Sequence, residues 1–284
     1  MFTNSSCRST LFGSSFAVGL PCLVLALSPA HSWAAENRSI AAEASSNAPV
    51  AIEESLTLGR AFLTNLFDAR VDLLPEFRGS PTYWLFHDNY LAARALEGTR
   101  PDLSQRIRAA LVRFGVTNSG KIEIVFDEAP QPLPFRAYRL TDIAAVDRKT
   151  IRTEVVTTNI MQGWEEYADL LLLASLAKAR RSPAEARRDF DRATAKWDGH
   201  GFQDPATRKH EIYSTYKLAL YLIAADRLGL QPPLASKVLA QLRALQAADG
   251  GWRTDYTTTG PKGLTNVETT CLALHALELS RRFR

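Results

Sequence analysis

The sequence predicts an all-α fold of about four helical hairpins, carrying a small antiparallel β insertion. Three observations lead there. Four segments open on an aromatic or polar residue and run into mostly apolar helices, at 84–96, 164–177, 213–225 and 267–279. A more amphipathic segment precedes each, the pattern of an outer helix covering an inner one. The equivalent positions Glu165, Ser214 and Glu268 lie 49 and 54 residues apart, a hairpin-sized repeat.

Residues 1–34 read as a secretory signal peptide. Arg8 is the only charge, an apolar run spans 16–27, and Ser32-Trp33-Ala34 fits a small-x-small cleavage site. The run is short for a membrane span, so no stable membrane insertion is expected after cleavage. The expected location is secreted or periplasmic. Residues 35–50 are rich in Ala, Ser, Asn and Glu and read as a flexible linker. The helical domain then occupies 51–284.

Cleavage would remove one of the 34 basic residues and none of the 30 acidic ones, leaving a net charge of +3. That balance argues against a nucleic-acid partner. It would also remove Cys7 and Cys22, leaving Cys271 without a disulfide partner, so stability has to come from a core.

The first outer helix is read at 53–68. The second, 103–114, sets Leu103, Ile107, Ala110, Leu111 and Phe114 on one stripe with Arg106, Arg108 and Arg113 off it. The third, 184–195, follows Ser182-Pro183, a cap with Pro at the first helical position. The fourth is 234–247. Between 117 and 159, the alternating β-branched runs 121–126, 134–139 and 150–156 predict the small antiparallel sheet. The stretch after the fourth outer helix, from Gln246, holds an Asp249-Gly250-Gly251 turn, Trp252 as a plug and a polar loop. Thr265-Asn266-Val267-Glu268 then reads as a capping box opening the last helix.

Gln246 to Trp252 resembles the Gln-to-Trp motif of squalene–hopene cyclases. The 266–277 segment resembles the inner-helix pattern shared by those cyclases, protein prenyltransferase β-subunits and macroglobulin thioester domains. The resemblance implies an α/α toroid-like array, incomplete if only four hairpins are present. Its catalytic motifs are absent: there is no Asp-x-Asp-Asp, no Asp-Asp-x-x-Asp and no Cys-Gly-Glu-Gln. The prenyltransferase zinc set is not matched either, because Thr269 stands where that family has its histidine and Cys271 is the only mature cysteine. His87-Asp88, His200 and His210-Glu211 are a second metal-site alternative, against which single histidines beside helix starts are more often structural. No metal and no cofactor are therefore expected.

Links from outer to inner helices are long and the reverse links short, so alternation gathers the long loops and the inner-helix starts at one end. The residues expected there are the acids Asp88, Glu165, Asp204 and Asp255 as catalytic candidates, with Trp84, Trp164, His200 and Tyr213 as ligand-binding candidates. Paired carboxylates beside aromatics suit glycan recognition or glycosidic acid/base chemistry. Acids in a helix's first turn are equally explained by capping and by the helix dipole. The alternative partner is an apolar ligand, a lipid or isoprenoid, or a protein bound without catalysis. Substituting Asp88 or Asp204 by Asn is expected to leave folding nearly intact while reducing ligand binding or turnover.

Overall fold

The computed structural model describes residues 52–116, 121–127, 133–207 and 211–281. The signal peptide, the linker and His210 lie outside the described residues. Eight α-helices occur among them: α1 (52–66), α2 (Leu91–Leu96), α3 (Pro101–Arg113), α4 (Ala168–Lys178), α5 (Pro183–Thr194), α6 (Thr215–Arg227), α7 (Ala235–Ala244) and α8 (Val267–Ser280). A π-helical segment, Leu85–Tyr90, leads directly into α2. The even-numbered helices are the apolar ones: Leu170 to Leu173 of α4, Leu218 to Ala225 of α6 and Cys271 to Leu274 of α8 are all buried. With so little polar surface they bury nearly all faces, and they touch in the order α2, α8, α6, α4. The odd-numbered helices cover them, α3 on α2, α5 on α4 and α7 on α6. No helix among the described residues is long and apolar enough to cross a membrane.

The class is mixed α/β, not all-α, and the all-α toroid-like array is thereby overturned. About half the chain is helical, but 21% is strand, in two three-stranded sheets. One sheet orders β1 (Thr82–Trp84), β3 (Lys149–Ile160) and β2 (Arg136–Val146), with β1 parallel to β3. Its β2–β3 hairpin turns on Asp147 and Arg148, both at positive φ, the backbone of a two-residue type I′ turn. The other sheet orders β4 (Tyr213–Ser214), β5 (Trp252–Thr257) and β6 (Gly260–Asn266). It replaces the polar loop expected after Trp252. β6 contains Gly260, Pro261 and Gly263 and faces solvent along most of its length, so it has no apolar alternation from which a strand is read.

The expected strand at 121–126 fails for the opposite reason. Ile122, Glu123, Ile124 and Val125 are all buried, so the segment has no solvent face and folds as a 3-10 turn, Ile122–Phe126. Phe126 packs against Tyr90 and His275, and the Val125 carbonyl accepts from Arg227 at 3.4 Å. The turn thus touches α8, α6 and the helix leading into α2.

The turn before α8 works by close approach. Gly250 sits at φ +89, and a Cβ there would meet the Leu58 carbonyl oxygen at 2.3 Å. Trp252 behind it is fully buried, and its indole N–H donates to the Leu242 carbonyl at 2.8 Å. Opposite, a Cβ on Gly59 would lie 2.8 Å from both the Trp252 ring and Leu274. Gly59→Ala is therefore expected to destabilise by about 1–3 kcal/mol through overpacking, although Ala is the better helix former. An unchanged or raised melting temperature would refute that. The expected capping box is not formed. Asn266 is the cap, its side chain accepting from the Thr269 N–H at 3.0 Å, while the Thr265 hydroxyl donates to Asp249 at 2.7 Å.

Candidate functional site

The apolar helices α2, α6 and α8 each follow a short strand or strand end, which delivers their first turns to one place. There the apolar pattern is broken by His87 and Asp88 before α2, Asp169 of α4, Tyr216 and Lys217 of α6 and Glu268 of α8, all buried. Glu154 of β3 and Lys121 join them. The π-helical segment carrying Asp88 packs against α8, whose first turn carries Glu268. Burial, then the charge of Glu76, hold Asp88 well above the usual carboxylate range. Glu268 is raised by burial, then by Asp88, Glu154 and Glu76, with Lys121 opposing. Glu76 is raised by burial, opposed by the Trp84 indole N–H it accepts and by Arg152.

A second group adjoins the first. The Lys217 ammonium donates to Asp204 at 2.5 Å, and the same oxygen accepts from the Ala168 N–H at 3.1 Å, capping α4. The Tyr216 hydroxyl donates to Asp169 at 2.9 Å. Burial, then Asp169, Asp204 and Glu268, raise the Tyr216 phenol, which places it among acids of both groups. Lys121 lies 3.8 Å above the Tyr138 ring. Burial lowers it to about 8 against the pull of Glu154, Asp169 and Glu268. His87 Nε2 lies 3.2 Å from Glu154. Burial alone would raise Glu154, but His87 and Lys121 outweigh it and hold the carboxyl low.

The predicted residues divide accordingly. Asp88 meets Glu268 and Glu76. Asp204 and Asp255 both interact with Lys217; Asp255 is raised by burial, while Thr254, donating at 2.7 Å, and Lys217 oppose the rise. Glu165 stands apart from both groups, half-exposed in a 3-10 turn, Trp164–Glu166. Trp84 is half-buried, with the Arg152 guanidinium 5.4 Å over its ring. Trp164 is a packing residue, edge-on to Phe135 at 5.3 Å. His200 is exposed in the Asp198 turn, its N–H donating to Asp198 at 2.9 Å. Tyr213 is buried against Tyr256 and donates to Asp198 at 2.5 Å; burial and that carboxylate push its phenol up to about 12.

Glu165 and Asp198 share an open cleft of about 490 Å³, also lined by Arg192, Lys196, Trp197 and Gln203. Trp197 sits edge-on to Phe202 with the Lys237 ammonium 5.7 Å from its ring. A smaller pocket of about 190 Å³ lies between α2 and α8, lined by Leu91, Arg94, Phe126, Cys271, His275 and Glu278. Burial pushes the Cys271 thiol up, which makes it unreactive. Among the described residues no group of three or more His, Cys, Asp or Glu is arranged to hold a metal ion.

The sequence reading does not point to Lys217, Lys121, Glu76, Glu154 or Trp197 as site residues. Lys217 carried a signal: it is the one charge in the first three turns of an apolar helix, Thr215 to Ala225. Compared with protein-family models, curated proteins and solved structures, the chain matches none.

Proposed function

We propose that this protein is an exported glycan-binding protein, with its ligand in the cleft formed by Glu165, Arg192, Lys196, Trp197 and Gln203. The observation carrying this reading is the cleft itself: open, polar on most sides and provided with one large ring. Its volume, about 490 Å³, falls within the roughly 300–1,000 Å³ of ordinary ligand sites. The pocket beside Cys271, about 190 Å³, is below that range, which disfavours the apolar-ligand alternative. Polar groups around a ring suit a polyhydroxylated ligand, whose C–H faces lie on the aromatic and whose hydroxyls meet the rim. The proposal of export rests on the character of residues 1–34.

Binding is favoured over hydrolysis at this cleft. Asp198 is already committed on both oxygens, to the His200 and Gly201 N–H groups and to the Tyr213 hydroxyl. Those donors outweigh burial and hold it ionised, so it has no proton to give a leaving group. The test is a glycan array followed by calorimetric titration. Trp197→Ala is expected to weaken binding tenfold or more, the loss of about 1.4 kcal/mol. Failure of any glycan to bind, or unaltered affinity in Trp197→Ala, would discard the reading.

A further inference from the structure

We propose that the ligand of the Trp197 cleft is an anionic glycan, whose carboxylate or sulfate-ester oxygens are received by Arg192. This rests on the glycan reading above and names the class of glycan. Arg192 belongs to the last turn of α5 and lines the cleft together with Lys196 and Trp197, which follow that helix. Its side chain is 52% exposed, and its nearest acid among the described residues is Asp189 at 3.6 Å, too long for a hydrogen bond. Asp189 is itself buried, with its other oxygen engaged by Lys178 at 2.7 Å. Among the described residues the Arg192 fork therefore has no protein acceptor within hydrogen-bond distance. A planar guanidinium presents two parallel N–H groups, the geometry that receives both oxygens of one acid group.

The charges around the ring also favour an anion. Lys196 lines the cleft beside Arg192. The Lys237 ammonium of α7 lies 5.7 Å from the Trp197 ring and donates to the Gly199 carbonyl at 2.6 Å. Against these three cations stand two acids, Glu165 and Asp198. Asp198 spends its oxygens on the His200 and Gly201 N–H groups and on the Tyr213 hydroxyl. The remaining acids of α5 have cations of their own, Asp191 with Arg187 at 2.8 Å and Glu185 with Arg188 at 3.9 Å. One positive charge is thus in excess in a concave site, where the field of the walls concentrates counter-ions.

An acidic sugar meets both demands at once: its C–H face lies on the Trp197 ring and its acid group reaches the fork. A neutral sugar offers the fork hydroxyls alone, and charge-assisted hydrogen bonds are about twice as strong as neutral ones. Because the cleft is open to solvent, the preference for the acid should fall as salt is raised.

The experiment is calorimetric titration of the full folded protein with oligosaccharides of galacturonate, mannuronate and glucuronate and with sulfated oligosaccharides. Each is paired with its carboxyl-reduced or desulfated counterpart. The best acidic ligand is expected to bind about tenfold or more tighter than its neutral counterpart. Whether carboxyl reduction or desulfation removes that advantage identifies the acid group. Arg192→Gln should bring the acidic ligand down to the affinity of the neutral one. Arg188→Gln removes the same charge from a side chain that is 71% exposed and outside the cleft, and should leave binding unchanged. Equal losses in the two variants would mean diffuse attraction and overturn the proposal. Equal binding of acidic and neutral forms, with Trp197→Ala still weakening both, would overturn the anionic class while leaving the glycan reading intact. No binding in any arm would overturn both.

Discussion

Lys217→Met is expected to destabilise the protein by about 3–5 kcal/mol, because it strands a buried carboxylate. Asp204 is fully buried, and Lys217 is its only cationic partner among the described contacts. Asp204→Leu should cost a similar amount by stranding the ammonium instead, and it also leaves the Ala168 N–H at the start of α4 uncapped. The double variant should recover much of the loss, since apolar side chains can fill the space of a buried pair at little net cost. Equilibrium denaturation of the four proteins gives the coupling directly. Two single losses below about 1 kcal/mol would mean that water reaches the pair. Burial argues against the expectation that Asp204→Asn leaves folding nearly intact, and nothing in the sequence around Asp204 announces that Lys217 closes over it.

Trp252→Ala should rival that effect, at about 3–5 kcal/mol. The ring is fully buried, seated on Gly59 and Leu274, with its N–H on the Leu242 carbonyl. Trp252→Phe separates the contributions. It keeps most of the packing but removes the donor to Leu242, for an expected loss of about 1–3 kcal/mol. If Phe proved as costly as Ala in thermal and denaturant melts, the hydrogen bond would dominate and the plug interpretation would be wrong.

The helices were legible in the sequence because their chemistry is local. Leu170 to Leu173 or Leu218 to Ala225 can only be buried, and Ser182-Pro183 and the glycines of the Asp249 turn mark boundaries within a few residues. The strands were legible only where apolar and polar residues alternate. That found the β2–β3 hairpin in part and missed β5 and β6: β5 has Trp252 and Tyr256 as its only apolar residues, four apart, and β6 is mostly polar and faces solvent. Apolar content misled at Ile122 to Val125, because burial on all sides looks like a strand to a pattern but leaves no sheet to join.

The site was legible at the level of residue type and not of partner. Asp88 lies in the segment leading into α2 and Asp204 in the loop before α6, and the Asp204 carboxyl turns out to cap α4. Nothing in the spacing of Asp204 and Ala168, or of Asp88 and Glu268, reports that these segments meet. Glu154 and Lys121 come from the β insertion and its approach, where position along the chain has no fixed relation to the helix repeat. Aromatic residues misled in the same way: Trp164 and Tyr213 serve packing, whereas Trp197, at the end of an outer helix, is the ring that faces the cleft.

The contact of α1 with α8 and the turn before it governs when folding can be completed. Arg60 pairs with Glu278 and Arg281 with Glu53, and Gly59 and Phe62 lie against Leu274, Trp252 and Gly251. α1 therefore finds these partners 191 to 218 residues further along the sequence. At about 5–20 residues per second, a ribosome needs roughly 10–40 s to travel from one to the other. During that interval Gly59 and Phe62 lack the Trp252, Leu274 and Gly251 surfaces they lie against. The pairing is strongly non-local, so nascent α1 is a natural client for a holding chaperone, and removal of the segment from Gln246 onward should expose it.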